Sequence, residues 1–329
     1  MILLVFLRCY FEFVAFRLHV IRRTTNMYTL ASHHLKQHAR SIKLALIAAA
    51  FTATSAHAAT ATIDFSKLKK DDAIYASLPQ KIKDAGFVNA ATESDYPPFD
   101  FLDDKNQLTG ADIELSHALG QVLGVPIRNV NTDFSAIIPG IQAGRFDVGI
   151  SSIGDYTSRE ATMDFVDYYQ GGTSFLTKQG AKGPKSMDDV CGTTVGVLKG
   201  TSSETQAKST SDYCTLHGKP AVTVNAYPTQ SAAILALTSG RIQSVSGDSA
   251  TNGYSASNPS LKIVNGGQTV YGDRPYYGIA VPKNSPLVDP LMKAMKIVMD
   301  SGVYLQILNK YGLGDGALNA PLKNQPLKQ

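Results

Sequence analysis

The stretch IIPGIQAGRFDVGISS at Ile137–Ser152 decides the fold, because its pattern returns as AILALTSGRIQSVSGD at Ala233–Asp248. In each copy a helical pattern stops at glycine, arginine follows, and a short apolar strand comes next. Each strand ends eight residues after its glycine, so Ser152 and Asp248 occupy equivalent carboxyl ends of strands. Open α/β sheets bind ligands there. The repeat predicts two lobes facing each other across a cleft, although glycine is common at helix ends and the repeat alone assigns no function.

The first 58 residues are expected to be a targeting segment that is removed. From Met27 onward they contain a basic stretch, the apolar run Leu44–Phe51 and the cleavage pattern Ala56-His57-Ala58. Upstream, residues 2–20 are apolar but carry three charged side chains, which argues against a membrane span. We expect translation to start at Met27 and the mature chain to begin near Ala59.

Removing that segment changes the charge balance of the chain. The whole sequence carries 31 Lys+Arg and 27 Asp+Glu, of which the first 58 residues hold seven and one, so the mature chain keeps 24 and 26. A nearly neutral chain without a basic run indicates no nucleic-acid partner. No later apolar segment is long enough to span a membrane, so we expect an exported, soluble protein.

Two cysteines, Cys191 and Cys214, remain after the targeting segment is removed. In an oxidising compartment they are expected to form a disulfide. A metal site is the alternative, but partner ligands are scarce, because five of the seven histidines lie in the first 58 residues and only His117 and His217 remain. We therefore expect neither a metal nor a cofactor.

The mature chain alternates strands and helices, which is typical of an α/β protein. Residues 59–85 are expected to form an extension that ends in a short helix near Gly86. A second α/β run begins at the strand Thr193–Leu198 and ends with the second repeat copy. The final residues, with Pro321 and Pro326, indicate a loose tail. Helices are expected at residues 111–123, 134–143, 287–301 and 303–311.

Polar residues that follow the strands indicate the chemistry of the cleft. Arg159 follows the first repeat strand, and the capping-box pattern of Thr157 and Glu160 places it in the first turn of a helix. The helix macrodipole disfavours a cation there, so such an arginine is typical of a bidentate carboxylate site. A salt bridge to Glu160 or Asp155 is the alternative that the sequence leaves open.

A second anion site is predicted where Gly200 precedes the capping-box pattern Thr201–Glu204, because a glycine turn before a helix exposes backbone N–H groups. The Walker spacing is missing, so this is not a phosphate loop. Together with Asp248, these groups fit a zwitterion, with Arg159 for its carboxylate and Asp248 for its ammonium. The segment Tyr96-Pro97-Pro98-Phe99 holds aromatic rings at the end of the first strand, unless these rings fill the core.

Six segments, taken in order, resemble the periplasmic solute-binding proteins of the polar-amino-acid class that serve ABC importers. The resemblance spans about residues 80–312 and implies an α/β, two-lobed periplasmic-binding-protein (Venus-flytrap) fold. Its two crossing hinge strands would lie near Phe175–Lys178 and Arg274–Ile279, with lobe 1 at 86–177 plus 275–329 and lobe 2 at 178–274. The segments are YPPF at 96–99, LTGADIEL at 108–115, AGRFD at 143–147, Arg159 with DFVDYY at 164–169, GTTVGVLKGT at 192–201 and SGRI at 239–242.

The resemblance also implies roles for residues of the cleft. Tyr96 and Phe134 would sandwich the ligand side chain, and Asp248 would bind the α-ammonium. Ser152 and Arg159 would hold the α-carboxylate. Thr201 would help from the second lobe, Leu198 with Ser202 and Ser203 would form the far wall, and Glu93 matches a position that in some members touches a polar or cationic side chain.

Three positions depart from the family pattern. Gly154 and Tyr156 stand where many relatives carry Ser and Thr, and Gln243 replaces a frequent Asp. These changes leave the ligand's side chain open. Glu93 and Asp155 beside the aromatic rings favour a polar or cationic side chain, unless Glu93 caps a backbone group and Tyr156 fills the space.

The resemblance implies a periplasmic monomer that binds an amino acid and delivers it to the membrane permease of an ABC transporter. Two other classes of function remain open. A periplasmic dehydratase on the same scaffold would need an acid or base in the cleft, for which Glu93 and Asp155 are the candidates. A ligand-binding module for a sensor is not separable from a transport protein by sequence.

Overall fold

The computed structural model describes residues 62–266 and 274–327. The predicted targeting segment, its cleavage near Ala58 and the start at Met27 lie outside these residues. The strands are β1 Val88–Thr92, β2 Asp95–Tyr96, β3 Asp100–Leu102, β4 Leu108–Thr109, β5 Ile127–Asn131, β6 Val148–Gly154, β7 Met163–Gln170, β8 Thr173–Lys178, β9 Thr194–Leu198, β10 Thr223–Tyr227, β11 Ser244–Asp248, β12 Ile263–Asn265, β13 Tyr276–Pro282 and β14 Ala317–Lys323. The α-helices are α1 Asp72–Ser77, α2 Gln80–Ala85, α3 Ala111–Leu123, α4 Phe134–Gln142, α5 Thr157–Glu160, α6 Met187–Val190, α7 Ser202–Leu216, α8 Gln230–Thr238, α9 Ser249–Ala256, α10 Val288–Asp300 and α11 Val303–Lys310.

Two large sheets carry the two copies of the repeat. The first has the strand order β14-β7-β13-β6-β1-β5 and the second the order β10-β9-β11-β8-β12. The repeat strand β6 lies between a parallel neighbour, β1, and an antiparallel one, β13. The repeat strand β11 has the same surroundings, with β9 parallel and β8 antiparallel. The two copies are therefore topologically equivalent, as the sequence predicts.

Both faces of the first sheet are covered by helices. This follows from neighbouring residues of one strand, which pack into two different hydrophobic cores. Ala90 packs into a core with α3, α10 and α11, whereas Ala91 packs into a second core with α4. In β7, Val166 packs into the first of these cores and Phe165 into the second. Successive side chains of a strand point to opposite faces, so burial on both sides explains why the strands read as continuous apolar runs.

The boundary between the lobes differs from the expected one. β8 forms its ladders with β11 and β12, so residues 173–177, expected in lobe 1, pair within the second sheet. The chain passes from the first sheet to the second at residues 171–172 and returns before β13. Gly171 N donates to Pro275 O at 2.9 Å, which joins the two crossings. We therefore propose a boundary at Gly172 in place of residue 177.

Both ends of the described chain are integrated into the first lobe. In the predicted extension, α1 and α2 bury Ile74 and Ile82 in the core beside α3. The expectation of a loose C-terminal tail is wrong, because β14 pairs with β7 at the edge of the first sheet. Pro321 is tolerated there since an edge strand has a side that needs no N–H donor.

In the two described ranges, the helices are all too short or too polar to cross a membrane. The same residues contain no group of three or more His, Cys, Asp and Glu side chains arranged to hold a metal ion.

The predicted disulfide is present between Cys191 and Cys214, whose Cα atoms are 5.6 Å apart. It links the C-terminal end of α6 to the last turns of α7 in the second lobe. The metal alternative is thereby excluded for these two cysteines.

We expect the Cys191→Ala/Cys214→Ala variant to lose about 3 kcal/mol of unfolding free energy, the value for closing a loop of this length. Urea denaturation of the oxidised wild type, the reduced wild type and the double variant measures this. The amino-acid affinity of the double variant should stay within threefold of wild type, because the bridge lies away from the cleft. Equal stability of the oxidised and reduced wild type would show that the bridge contributes nothing.

Candidate functional site

The repeat strands β6 and β11 bring their carboxyl ends to one cavity between the two sheets. Its volume is about 30 Å³, far below the roughly 300 Å³ or more of a typical ligand pocket. An amino acid can therefore enter only when the lobes move apart. The lining residues are Tyr96, Phe134, Ser152, Gly154, Arg159, Thr173, Thr201, Ser202, Ser203, Asp248 and Tyr277.

Ser152 lies near the end of β6, where the strand leaves ordinary β geometry. Its φ is 43°, in the left-handed region that non-glycine residues rarely adopt. Its backbone N donates to Asp112 Oδ2 at 2.6 Å. Within the described residues, its buried hydroxyl has no hydrogen-bond partner. The hydroxyl is therefore free to donate to a ligand in the cavity.

Arg159 reaches the cavity from α5. Its Nη1 donates to Gly154 O at 2.8 Å and its Nη2 to Gly200 O at 3.3 Å, across the cleft. The rings of Phe134 and Tyr156 flank the guanidinium, with centroids 5.8 and 5.6 Å from Cζ. Burial lowers the pKa of Arg159. A desolvated cation with fork geometry favours a carboxylate as its partner.

The local signals around Arg159 differ from the predicted ones. Helix α5 begins at Thr157 after Tyr156, which makes no side-chain cap, so the capping box of Thr157 and Glu160 is wrong. Among the residues that the structure describes, the ion pairs do not include a bridge from Arg159 to Glu160 or Asp155. The anion-site interpretation is the one that the geometry favours.

The second lobe contributes the N-terminus of α7. Thr201 caps this helix, its Oγ1 accepting from Glu204 N at 3.4 Å. The Glu204 carboxylate accepts from Gly200 N at 2.7 Å. In a capping box it would accept from the N–H of the N-cap residue itself, Thr201. Ser202 and Ser203, in the first turn, line the cavity opposite Arg159. The first turn of a helix favours an anion, so both lobes offer donors to a carboxylate.

Asp248 ends β11 and caps α9. Its Oδ1 accepts from Ala250 N at 2.7 Å and from Thr251 N at 3.3 Å, and Tyr277 OH donates to its Oδ2. Burial raises the pKa of Asp248 to about 7, against the lowering effect of the two backbone donors. An ammonium beside it would favour its ionised form.

Glu93 follows β1 behind Tyr96 and is 4% exposed. Its Oε2 has no hydrogen-bond donor within the described ranges. Burial first, and then the negative charges of Asp95 and Asp133, raise the pKa of Glu93 to about 8. The charges of Asp95 and Asp133 thus make the surroundings of Glu93 electrostatically negative. Glu93 and Leu198 are the two predicted site residues outside the cavity lining.

Asp155 does not lie where the sequence places it. It is fully buried, does not line the cavity, and its backbone O accepts from Leu327 N at 3.1 Å. The expectation that it faces the ligand side chain is therefore wrong. The C-terminal segment covers this part of the chain, where Leu327 also forms a β-bridge with Tyr156, and no local signal in the sequence indicates that contact.

The structure accounts for the three departures. A Cβ on Gly154 would overlap the ring of Tyr156, so a serine at 154 and a tyrosine at 156 exclude each other. The glycine therefore accompanies the larger ring beside Arg159. Gln243 Oε1 accepts from Thr194 N at 2.7 Å, and it thus satisfies a backbone donor at the start of β9.

Sequence reasoning missed Thr173 and Tyr277 as lining residues. Both lie on strands that flank the crossings between the sheets, Thr173 at the start of β8 and Tyr277 near the start of β13. Neither residue lies in a repeat copy. Only the antiparallel pairing of these strands beside β11 and β6 brings them to the cavity.

Direct hydrogen bonds join the lobes at the rim of the cleft. Asp95 accepts from Ser231 N at 2.9 Å and from Ser231 Oγ at 2.6 Å, so a carboxylate of the first lobe binds the first turn of α8 in the second. Asp248 N also donates to Tyr96 OH at 3.3 Å. Together with the Arg159 bond to Gly200, these contacts define a closed arrangement of the lobes.

Known proteins are similar to this chain over most of its length. The arginine-binding protein ArgT of Corynebacterium glutamicum is 31% identical over 256 residues, covering 77% of this chain and 84% of that protein. A putative ABC transporter arginine-binding protein 2 of Escherichia coli is 32% identical over 231 residues, covering 68% and 90%. The solved structure of an ancestral arginine-binding protein bound to arginine matches with a TM-score of 0.63 at 34% identity, covering 69% of this chain and 98% of that one.

The sequence profile of one family covers both repeat copies and every predicted site residue. It matches residues 88–314, more than half of the chain. The order of motifs and the two-sheet architecture agree with that match. This chain belongs to the bacterial extracellular solute-binding proteins, family 3.

Proposed function

We propose that this protein binds a cationic amino acid, arginine first, in the cleft between its lobes and delivers it to the permease of an ABC transporter. The observation that carries the choice of ligand is Glu93, a buried side chain whose Oε2 has no hydrogen-bond donor among the described residues and which lies near two further acids. A guanidinium supplies both the positive charge and the N–H donors that this carboxylate needs.

The proposed pose assigns each charge of arginine to an opposite charge. Arg159, Ser152 and the first turn of α7 take the α-carboxylate, and Asp248 takes the α-ammonium. The side chain then extends past Tyr96 towards Glu93. The names of the similar proteins support this choice, since those of Corynebacterium glutamicum and Escherichia coli are called arginine-binding.

We further propose that the protein acts outside the cytoplasm as a monomer, after cleavage near Ala58. The Cys191–Cys214 disulfide supports an oxidising compartment. We also propose that the ligand leaves chemically unchanged, and the names of the relatives, which describe binding proteins, support this. Neither of the two acids considered for a dehydratase, Glu93 and Asp155, lines the cavity, which supports binding over catalysis.

A thermal-shift screen of residues 59–329 tests the proposal. A ligand that binds only the folded state raises the melting temperature as its concentration exceeds its Kd. Arginine and lysine should give the largest shifts, histidine a smaller one, and glutamine, glutamate and leucine the smallest. A larger shift with glutamate or leucine than with arginine would refute the assigned ligand.

Glu93→Gln should weaken arginine binding by about tenfold or more and leave glutamine binding within about threefold, because only the cationic side chain uses the charge. The pH dependence has a defined sign. The pKa of Glu93 is about 8, so protonation competes with a cation below pH 8, and the Kd of the wild type for arginine should rise as the pH falls. Calorimetry between pH 6 and pH 9 measures both effects.

The variant should lose the contribution that begins near pH 8 and continues at lower pH, whereas the contribution of Asp248, which begins near pH 7, should remain. Asp133→Asn is the matched control, since it removes a neighbouring but exposed carboxylate. An arginine Kd that changes equally in the Glu93 and Asp133 variants would contradict a direct role of Glu93.

A further inference from the structure

Asp112 lies behind the cavity and joins three elements of the first lobe. It is fully buried in the first turn of α3. Its Oδ2 accepts from Ser152 N of β6 and its Oδ1 from Tyr168 OH of β7, both at 2.6 Å. It does not line the cavity, and both of its carboxylate oxygens accept hydrogen bonds from the protein, so in the proposed pose it acts on the ligand through Ser152.

Ser152 needs an external constraint to keep its conformation. For a residue other than glycine, the left-handed region costs about 1 to 2 kcal/mol, and such a residue persists only where its surroundings hold it. In the described chain, its hydroxyl makes no hydrogen bond, so the side chain does not fix the backbone. The short bond from its N–H to the Asp112 carboxylate is the contact that can.

We propose that Asp112 is a positioning residue of the ligand site, which holds Ser152 in its left-handed conformation so that the serine hydroxyl faces the α-carboxylate of the ligand. The inference rests on the proposed function for the identity of the bound group. The geometry itself, a buried acceptor on the N–H of the strained residue, is independent of the ligand.

A second buried carboxylate controls the charge of the first. Asp100, also fully buried, lies near Asp112, and two desolvated carboxylates disfavour each other's ionisation. Burial and the charge of Asp112 raise the pKa of Asp100 well above its usual range. Burial raises the pKa of Asp112 only to about 7, because the Tyr168 and Ser152 donors oppose it. Of the two carboxyl groups, Asp112 therefore ionises first, and its ionised form strengthens the bond to Ser152.

A double-mutant cycle between Asp112 and Ser152 tests the inference. Asp112→Asn should raise the Kd for arginine about tenfold, since a neutral acceptor holds the N–H less strongly. Glycine adopts a positive φ without strain, so in the Ser152→Gly background the same Asp112 change should raise the Kd less than about twofold. A role of Asp112 in stability alone would give the same factor in both backgrounds, and that result would overturn the inference.

Asp164→Asn is the matched control. Asp164 is a buried carboxylate of the same lobe that also accepts a backbone N–H, from Asn284 at 2.7 Å, but it lies outside the cleft. This variant should lose stability while its arginine Kd stays within about twofold of wild type. If the arginine Kd of Asp164→Asn rises as much as that of Asp112→Asn, the effect of Asp112 is explained by loss of stability alone, and the inference is overturned.

A readout without ligand separates this inference from the proposed function. In a crystal structure of the Asp112→Asn variant, Ser152 is expected to leave the left-handed region and take a negative φ. A φ that stays near 43° would overturn the inference whether or not arginine is the ligand. If the wild type binds another amino acid, the cycle is measured with that one, because all amino acids share the α-carboxylate.

Discussion

Arg159→Ala is expected to abolish measurable amino-acid binding while the protein remains folded. The guanidinium is the side-chain cation of the cavity lining. The groups around it are carbonyl oxygens and aromatic rings, which cannot replace its positive charge opposite the carboxylate of a ligand. Removing one partner of a desolvated, hydrogen-bonded charge pair costs about 2 to 5 kcal/mol of binding free energy. Isothermal titration calorimetry with arginine measures the loss, and the melting temperature without ligand checks the fold.

Arg145→Ala is a suitable control for this change. Arg145 belongs to the first repeat copy, is exposed, and stacks on Phe146 with its Cζ 5.9 Å from the ring centroid. Its removal should leave the arginine Kd unaltered. Arg159→Lys should behave like the alanine variant more than like wild type, because lysine keeps the charge but lacks the bidentate fork. An Arg159→Ala protein that binds arginine within threefold of wild type would remove this residue from the site.

Asp248→Asn is expected to weaken binding of arginine by about 2 kcal/mol or more, since the amide no longer offsets the ammonium charge. The effect on the fold should be small, because asparagine is an equally good helix N-cap and still accepts from the first turn of α9. The arginine analogue without its α-amino group supplies the test. Its affinity, measured by calorimetry, should change far less than that of arginine.

The comparison between the two ligands separates recognition from structure. Asp248 also accepts a hydrogen bond from Tyr277, so its replacement disturbs a contact between β11 and β13. A loss caused by that disturbance would affect both ligands equally. Equal weakening of arginine and its des-amino analogue would therefore assign Asp248 a structural role only.

Part of the cavity lining could be predicted from local signals in the sequence. Ser152 and Asp248 lie at the ends of the two repeat strands, Arg159 and Thr201 follow β6 and β9, and the carboxyl ends of strands in such sheets meet at one edge. Helix bounds were also close, since α3 begins and ends where its apolar periodicity does. Both results rest on signals that are local in the chain.

What the sequence did not predict depends on contacts between distant segments. Tyr277 reaches the cavity only through its pairing with β6, and the C-terminal residues cover Asp155 only because β14 joins the sheet edge. The α5 cap was misread because Tyr156, a residue without a capping side chain, precedes the helix. Tertiary burial of that ring outweighs the local preference for a capping box.

The hydrogen bonds between Asp95 and Ser231 join groups of the chain and none of the ligand. These bonds therefore stabilise the closed form relative to the open form by the same free energy, whichever amino acid is bound. If only the closed form retains its ligand, the apparent dissociation constant is the intrinsic one divided by the closed fraction. The strength of these hydrogen bonds scales all affinities by one common factor, so a change at Ser231 alters retention without altering the order of preference among amino acids.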